Sequence, residues 1–215
     1  MNEIKNIYSK RKHVVIYDEE IIPTQIEIKE LLETAYSLVT SNKKAFPYQI
    51  NVLGPNKERS IELWKLCEQN NFNNLSNDGL LHIRTAPYTL IITPRMAPPN
   101  EYYKELFDIA NEKWELDNAI FVNGNNRESG AIEIGMIAKV ITGLLLEKGW
   151  DTSYNICFPK SMSKFAEYTF SKYNPTLMQT IGKAKKYKYE YRKPEELEKD
   201  TAPPFDDIFK FIDNN

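Results

Sequence analysis

The stretch from Glu128 to Phe158 constrains the fold of this chain more than any other, because it predicts a buried helix followed by a strand. Apolar side chains occur almost all round the predicted helix, residues 131–146, as is typical of a helix in a protein core. Charged residues interrupt this run, which is in any case too short to cross a bilayer. Gly149 marks the end of the helix, and residues 153–158 follow as a short buried strand. Small residues keep parts of the helix surface thin enough for a second backbone to approach: Gly130, Ala131, Gly135, Ala138 and Gly143.

The composition favours a single domain, residues 1–215, with one substantial core. The chain has 215 residues, of which 41% are hydrophobic, and this is enough to bury the core of one domain. Its net charge of −2 gives no general attraction to nucleic acid or to an anionic membrane.

The cysteines and the first residues of the chain favour a cytoplasmic protein. Cys67 and Cys157 are isolated, and neither has the spacing of a metal ligand relative to His13 or His82, so we expect no metal site. Isolated cysteines are typical of a reducing compartment. The N-terminal residues have no apolar segment of the kind found in secretion signals, so we expect the protein to stay in the cytoplasm.

Helical and strand patterns are interspersed along the chain, which predicts an α+β fold. Thr24 and Glu27 form a capping-box pattern that opens a helix. The apolar stripe of that helix is Ile28, Leu31, Leu32, Ala35, Leu38 and Val39. Further strands are predicted at residues 14–17, 48–53, 88–93 and 177–182. Further helices are predicted at residues 56–69 and 100–117, from Ser161 onwards, and at 205–212. A turn-rich loop is predicted at residues 121–127, and a polar, poorly patterned segment at 183–204.

No motif for self-contained catalysis is present, so we predict no catalytic side chain and assign the chemistry to a cofactor. Cationic donors lie together at a helix-to-strand junction, at Arg11, Lys12 and His13. This arrangement suits a phosphate monoester. The competing interpretation is a cluster of solvated charges. The loop of residues 40–44 supplies short polar donors between a helix and a strand. At the end of the strand that follows the central helix, backbone amides are placed to meet a flat ring; the residues there are Asn155, Ile156, Cys157 and Phe158.

In this order along the chain, these segments resemble the FMN-dependent nitroreductase family. The sequence RKHVVIYD, from Arg11 to Asp18, resembles the family's Arg-Arg-Ser-x-Arg-x-Phe-Asp pattern, with His13 in place of the serine and Val15 in place of the second cation. The segment TSNKKAFPY resembles its Pro-Ser-x-x-Asn-x-x-Pro-Trp loop, with Ser41 in place and Lys44 where asparagine is expected. The segment RTAPYTLII is similar to its Ala-Pro strand, and residues 133–158 are similar to its long central helix and following strand. The family's C-terminal cationic pattern is represented here only by Lys199.

The resemblance implies a three-layer nitroreductase-like fold, with a mostly antiparallel central sheet between helices and an intertwined homodimer. Each interfacial site would hold one FMN. Arg11, Lys12, His13 and residues 155–158 would come from one subunit, and Ser41 and Lys44 from the other. The implied reaction is a ping-pong transfer from NAD(P)H through flavin N5 to an electron-poor acceptor such as a nitro compound or a quinone, with no acid–base side chain.

Two alternatives remain open from the sequence. In the segment 183–193, KAKKYKYEYRK, lysines alternate with tyrosines, which is a pattern for binding single-stranded nucleic acid; the competing interpretation is an exposed strand or tail. The net charge and nearby glutamates favour an exposed strand or tail. The second alternative keeps the flavin fold but assigns it another flavin chemistry.

Overall fold

The structure of this chain is a computed structural model. The backbone and side chains are described for residues 3–39, 46–68, 80–95, 130–156, 168, 175–188 and 208, and the backbone alone for residues 2 and 112–129.

Within these ranges the chain alternates between helices and strands. The helices are α1 (Asn2–Ser9), α2 (Gln25–Leu38), α3 (Lys57–Glu68), α4 (Leu81–Thr85) and α5 (Glu112–Glu147). The strands are β1 (Val14–Tyr17), β2 (Tyr48–Leu53), β3 (Tyr88–Pro94), β4 (Asp151–Asn155), β5 (Leu177–Gly182) and β6 (Ala184–Tyr187). None of the described helices is long and apolar enough to span a membrane.

A four-stranded sheet lies at the centre of the described structure, with strand order β2-β3-β5-β4 and all neighbours antiparallel. One face packs against α2 and α5, where Leu90 and Ile92 of β3 join Ile137 and Ile141 of α5 in a buried cluster. The other face packs against α3 and α4, where Ile91 contacts a second buried cluster that includes Leu63 and Ile83. Alternate residues of β3 therefore enter opposite cores, as the two-residue period of a strand requires. The α+β prediction, with an antiparallel sheet between helices, is confirmed.

A second, two-stranded sheet pairs β1 with β6 in the antiparallel sense. It lies beside the edge strand β4: the Ser153 hydroxyl accepts a hydrogen bond from the Val14 amide at 2.7 Å and donates one to the Val14 carbonyl oxygen at 3.1 Å. The hydroxyl of Tyr17 bonds to Thr180 of β5, and burial raises the pKa of Tyr17 well above its ordinary value. These contacts fix the strand that follows the N-terminal basic cluster.

The predicted capping box of α2 is confirmed. The Glu27 amide donates to the Thr24 hydroxyl at 3.2 Å, and the Thr24 amide donates to the Glu27 carboxylate at 2.7 Å. The predicted apolar stripe is confirmed at Ile28, Leu31 and Ala35, but Leu38 is 61% exposed because it lies at the margin of the stripe.

The predicted loop at residues 121–127 is wrong, because these residues lie inside α5. Glycine and asparagine are weak helix formers, but each costs only about 1 kcal/mol or less, so a long helix can continue through a few of them where no proline breaks it. The predicted helix at 100–117 and the central helix are therefore joined from residue 112 onwards.

Two strand predictions are also corrected. Strand β4 begins at Asp151, two residues before the predicted start. It ends at Asn155, before the predicted end at residue 158. Strand β6 lies in the segment that the sequence predicts to be poorly patterned, because its side chains are partly or largely exposed. Its pairing with β1 and its hydrogen bonds to Asp151 order it. The predicted helices from Ser161 and at 205–212 lie outside the described residues, apart from Tyr168 and Ile208.

Candidate functional site

The candidate site is the junction between α1 and β1, where the basic cluster lies. Helix α1 is held on α5 by Tyr8, whose hydroxyl donates to the Lys139 carbonyl oxygen at 3.0 Å. A hydrogen bond of 3.1 Å from the Arg11 amide to the Tyr8 carbonyl oxygen then turns the chain out of the helix. The backbone around Arg11 is thus fixed by α1 on one side and by the contact between β1 and β4 on the other.

The side chain of Arg11 lies against β4. Its Cζ atom is 4.7 Å from the centre of the Tyr154 ring, which is the geometry of a cation–π contact. Its Nε atom is buried and has no hydrogen-bond partner among the described residues. A buried donor without a partner costs free energy, whereas a charged acceptor such as a phosphate would satisfy it strongly. This donor therefore fits the phosphate group of a flavin mononucleotide.

The structure does not gather all three predicted cations at one point. The Nζ atom of Lys12 lies 5.2 Å from the ring centre of Tyr187 in β6. The ring of His13 packs edge-on against His82 of α4, with 5.6 Å between their centres. Arg11 thus faces β4, while Lys12 and His13 contact β6 and α4.

The predicted strand end follows Tyr154, the residue whose ring Arg11 contacts. Asn155 is the last residue of β4 and is buried, and Ile156 follows it with 74% of its side chain exposed. Since Arg11 lies over Tyr154, the structure brings Arg11 and residues 155–156 to the same end of β4. The other predicted site residues lie outside the described residues: Ser41, Lys44, Cys157, Phe158 and Lys199.

Sequence reasoning missed Tyr154 and Lys139 as members of this region. Lys139 lies in the middle of α5, and its Nζ atom is 3.9 Å from the ring centre of Tyr8. The hydroxyl groups of Tyr8 and Tyr154 approach adjacent carbonyl oxygens of α5. Tyr8 bonds to that of Lys139, and the Tyr154 hydroxyl lies 3.2 Å from that of Ala138. The available signals were an aromatic residue just before the predicted strand end and a lysine in an apolar helix.

The described residues hold no group of three or more histidines, cysteines or acidic residues with the geometry of a metal site. The groups assembled here are the Arg11 guanidinium, which can bind an anion, the Tyr154 ring on which it packs, and the exposed strand end.

Comparisons with known proteins place this geometry in a wider context. No family model and no curated protein sequence matches the chain. Among solved structures, a protein from Bacillus subtilis assigned as a nitroreductase is 14% identical, with a TM-score of 0.69 over 99% of this chain and 100% of that one. This chain has the nitroreductase fold. A protein from Exiguobacterium sibiricum assigned as a nitroreductase, crystallised in complex with FMN, is 18% identical, with a TM-score of 0.66 over 97% of both chains. A protein from Staphylococcus epidermidis assigned as an NAD(P)H:FMN oxidoreductase is 18% identical, with a TM-score of 0.59 over 99% of this chain and 97% of that one. The nitroreductase fold that the sequence pattern suggested is thereby confirmed.

Proposed function

We propose that this chain is an FMN-dependent NAD(P)H oxidoreductase that reduces an electron-poor small molecule such as a nitro compound or a quinone. The observation that carries the proposal is the buried, unpartnered Nε atom of Arg11 beside the end of β4, within the nitroreductase fold. The support from comparison is that the neighbour from Exiguobacterium sibiricum was crystallised with FMN.

Arg11 is the main phosphate ligand in this proposal. A charge-assisted hydrogen bond contributes about 1.5–3 kcal/mol, and burial of the donor among the described residues favours the upper part of that range. Lys12 and His13 belong to the same junction, but their side chains contact Tyr187 and His82 and do not join Arg11. Val15 is buried in β1 and cannot supply the second cation of the family pattern. Ser41 and Lys44 of the partner subunit, together with Lys199, complete the proposed set.

The flavin ring is proposed to lie at the strand end, residues 155–158. Ile156 follows β4 directly and is 74% exposed. An N–H group at this place can bond to the edge of a flat ring without any side-chain chemistry. When bound, FMN would supply hydride transfer between NAD(P)H and the acceptor at N5, and the protein would orient the ring and exclude water.

A second copy of the chain is proposed to cover the exposed side of α5. Ile132 and Met136 lie on this side and are 64% and 47% exposed, although the opposite side of the helix is fully buried. A methyl group added at Gly135 would meet nothing within 4 Å, so a second backbone has room to approach. We expect an obligate homodimer with an interface larger than about 2,000 Å².

The nucleic-acid alternative is less well supported. The Tyr187 hydroxyl donates a hydrogen bond of 3.1 Å to the Asp151 carboxylate, and the Tyr187 ring contacts Lys12. This tyrosine therefore packs within the protein instead of offering its ring to a base, in agreement with an exposed strand at residues 184–187. Tyr189 and Tyr191 lie outside the described residues.

The proposal is tested by titrating the purified protein into FMN and following the quenching of flavin fluorescence. We expect saturable binding, and oxidation of NAD(P)H when a quinone or a nitroaromatic compound is added. Replacing Arg11 by alanine should weaken FMN binding about tenfold to a hundredfold. Lys10→Ala removes the neighbouring exposed cation and should leave FMN affinity unchanged. A colourless protein that does not quench FMN but retards an oligonucleotide would reverse our choice between the two functions.

A further inference from the structure

We infer that Tyr154 is a positioning residue that holds the Arg11 guanidinium in place for the FMN phosphate, an inference that rests on the proposed function. The Arg11 Cζ atom lies 4.7 Å from the centre of the Tyr154 ring. A guanidinium that packs on an aromatic face leaves its N–H donors free, because those donors lie in the guanidinium plane. The contact with Tyr154 therefore restrains Arg11 without consuming the donors that a phosphate needs.

Tyr154 is itself anchored in the core. Its hydroxyl group forms a hydrogen bond with the Thr142 hydroxyl of α5 and lies 3.2 Å from the Ala138 carbonyl oxygen. The Gln179 amide of β5 donates to the Thr142 hydroxyl at 3.1 Å. Three elements of the core thus fix the ring, since Tyr154 belongs to β4, Thr142 to α5 and Gln179 to β5.

Because its ring is anchored, Tyr154 can restrain the side chain of Arg11. An arginine side chain loses much conformational freedom when it binds a ligand, and a residue that restrains it beforehand reduces that loss. The backbone of Arg11 is restrained separately, through Tyr8 and α5. Loss of Tyr154 should therefore release the Arg11 side chain while its backbone stays in place.

Paired binding measurements with FMN and riboflavin test the inference, because riboflavin has the same ring but no phosphate. Wild-type protein should prefer FMN, and Arg11→Ala should abolish most of that preference. Tyr154→Leu, which removes the ring, should weaken FMN binding about threefold to tenfold and leave riboflavin binding unchanged. Tyr154→Phe keeps the ring and loses only the hydroxyl anchor, so it should retain most of the preference for FMN.

A second measurement needs no substitution at Tyr154. In the wild-type protein the Tyr154 ring current should move the Arg11 Nε–H proton resonance upfield, and the resonance is assigned by its disappearance in Arg11→Lys. An unshifted resonance would overturn the inference, as would equal losses of FMN and riboflavin affinity in Tyr154→Leu, which indicate a merely structural role. If the wild-type protein binds neither flavin, the proposed function itself fails. If Arg11→Ala lowers the preference for FMN but Tyr154→Leu does not, only the positioning role fails.

Discussion

The hydroxyl group of Tyr8 donates a hydrogen bond of 3.0 Å to the backbone carbonyl oxygen of Lys139, across 131 residues of sequence. The Nζ atom of Lys139 lies 3.9 Å from the centre of the same ring, so the lysine and the tyrosine contact each other twice. Burial, followed by the nearby Tyr154, raises the pKa of Tyr8 above its ordinary value. Because α1 is short, the contact between Tyr8 and Lys139 fixes the position of α1 on α5. It thereby fixes where the chain reaches Arg11 after the helix ends.

Replacing Gly143 by alanine should disturb this pair. A Cβ atom at position 143 would lie 2.8 Å from the Tyr8 hydroxyl oxygen, so the tyrosine must move and lose its bond to Lys139. Alanine is favoured over glycine in a helix by about 1 kcal/mol, so we expect little change in the free energy of unfolding. FMN affinity should nevertheless fall several-fold, because movement of Tyr8 shifts α1 and with it the backbone of Arg11, which bonds to the Tyr8 carbonyl oxygen.

The matched control for this variant is Gly143→Ala combined with Tyr8→Ala. If the steric clash is the cause, the double variant should bind FMN no more weakly than Tyr8→Ala alone. An FMN affinity for Gly143→Ala equal to that of the wild-type protein would show that α1 is not held by this contact.

Much of the central sheet could be predicted from sequence, because β3 and β5 are short runs buried along nearly their whole length and are preceded by Pro87 and Pro175. Strand β2 lies at the predicted residues, as do β1 and β5, and β3 runs one residue further. Strand β6 could not be predicted, because its side chains are partly or largely exposed and its order comes from long-range contacts with β1 and with Asp151. The extension of α5 through residues 121–127 was missed because glycine and asparagine there indicate a turn, although each costs a helix only about 1 kcal/mol or less.

The site was predictable in part. A basic cluster between a helix and a strand indicated Arg11, and the strand after the central helix indicated residues 155–156. The sequence could not predict that Arg11 and Lys12 would separate, because adjacent residues in an extended segment point to opposite sides. Nor could it predict that Tyr154 would meet Arg11, since that contact depends on how β1 lies along β4.

Acidification should remove the stability that Glu27 contributes to the start of α2. Hydrogen bonds from the Thr24 amide and hydroxyl lower the pKa of Glu27 in the folded protein. A carboxyl group with a lowered folded pKa stabilises the protein above its unfolded pKa, about 4.3 for glutamate, and loses that contribution as pH falls through the folded pKa. Glu27→Gln should therefore lower the free energy of unfolding at neutral pH and have no effect in acid, as measured by urea denaturation. Glu30→Gln on the same helix controls for the general loss of one negative charge; a deficit in Glu27→Gln that persists in acid would contradict the prediction.

Substituting Met136 by glutamate should break the proposed homodimer. Met136 is 47% exposed on α5, and a charge there would be desolvated without a partner if a second copy covers this side. We expect a monomeric mass in light scattering, together with loss of FMN binding if the partner subunit completes the site. Val52→Glu is the matched control, because Val52 is exposed to a similar extent, 46%, but lies on β2. A wild-type protein that is already monomeric at micromolar concentration would refute the dimer.

Proline at position 156 should weaken flavin binding through the backbone alone. Ile156 is 74% exposed, so its side chain contributes little to packing, and the extended conformation of Asn155 in β4 is compatible with a following proline. Proline removes the N–H group that we propose for the flavin ring, and loss of one such hydrogen bond corresponds to about 0.5–1.5 kcal/mol. Ile156→Pro should therefore weaken FMN and riboflavin by the same factor of about threefold to tenfold, because both share the ring. Ile156→Ala keeps the amide and should bind both flavins as the wild-type protein does. If the proline and alanine variants bind FMN equally well, the ring does not bond to this amide, and its site lies elsewhere along the strand.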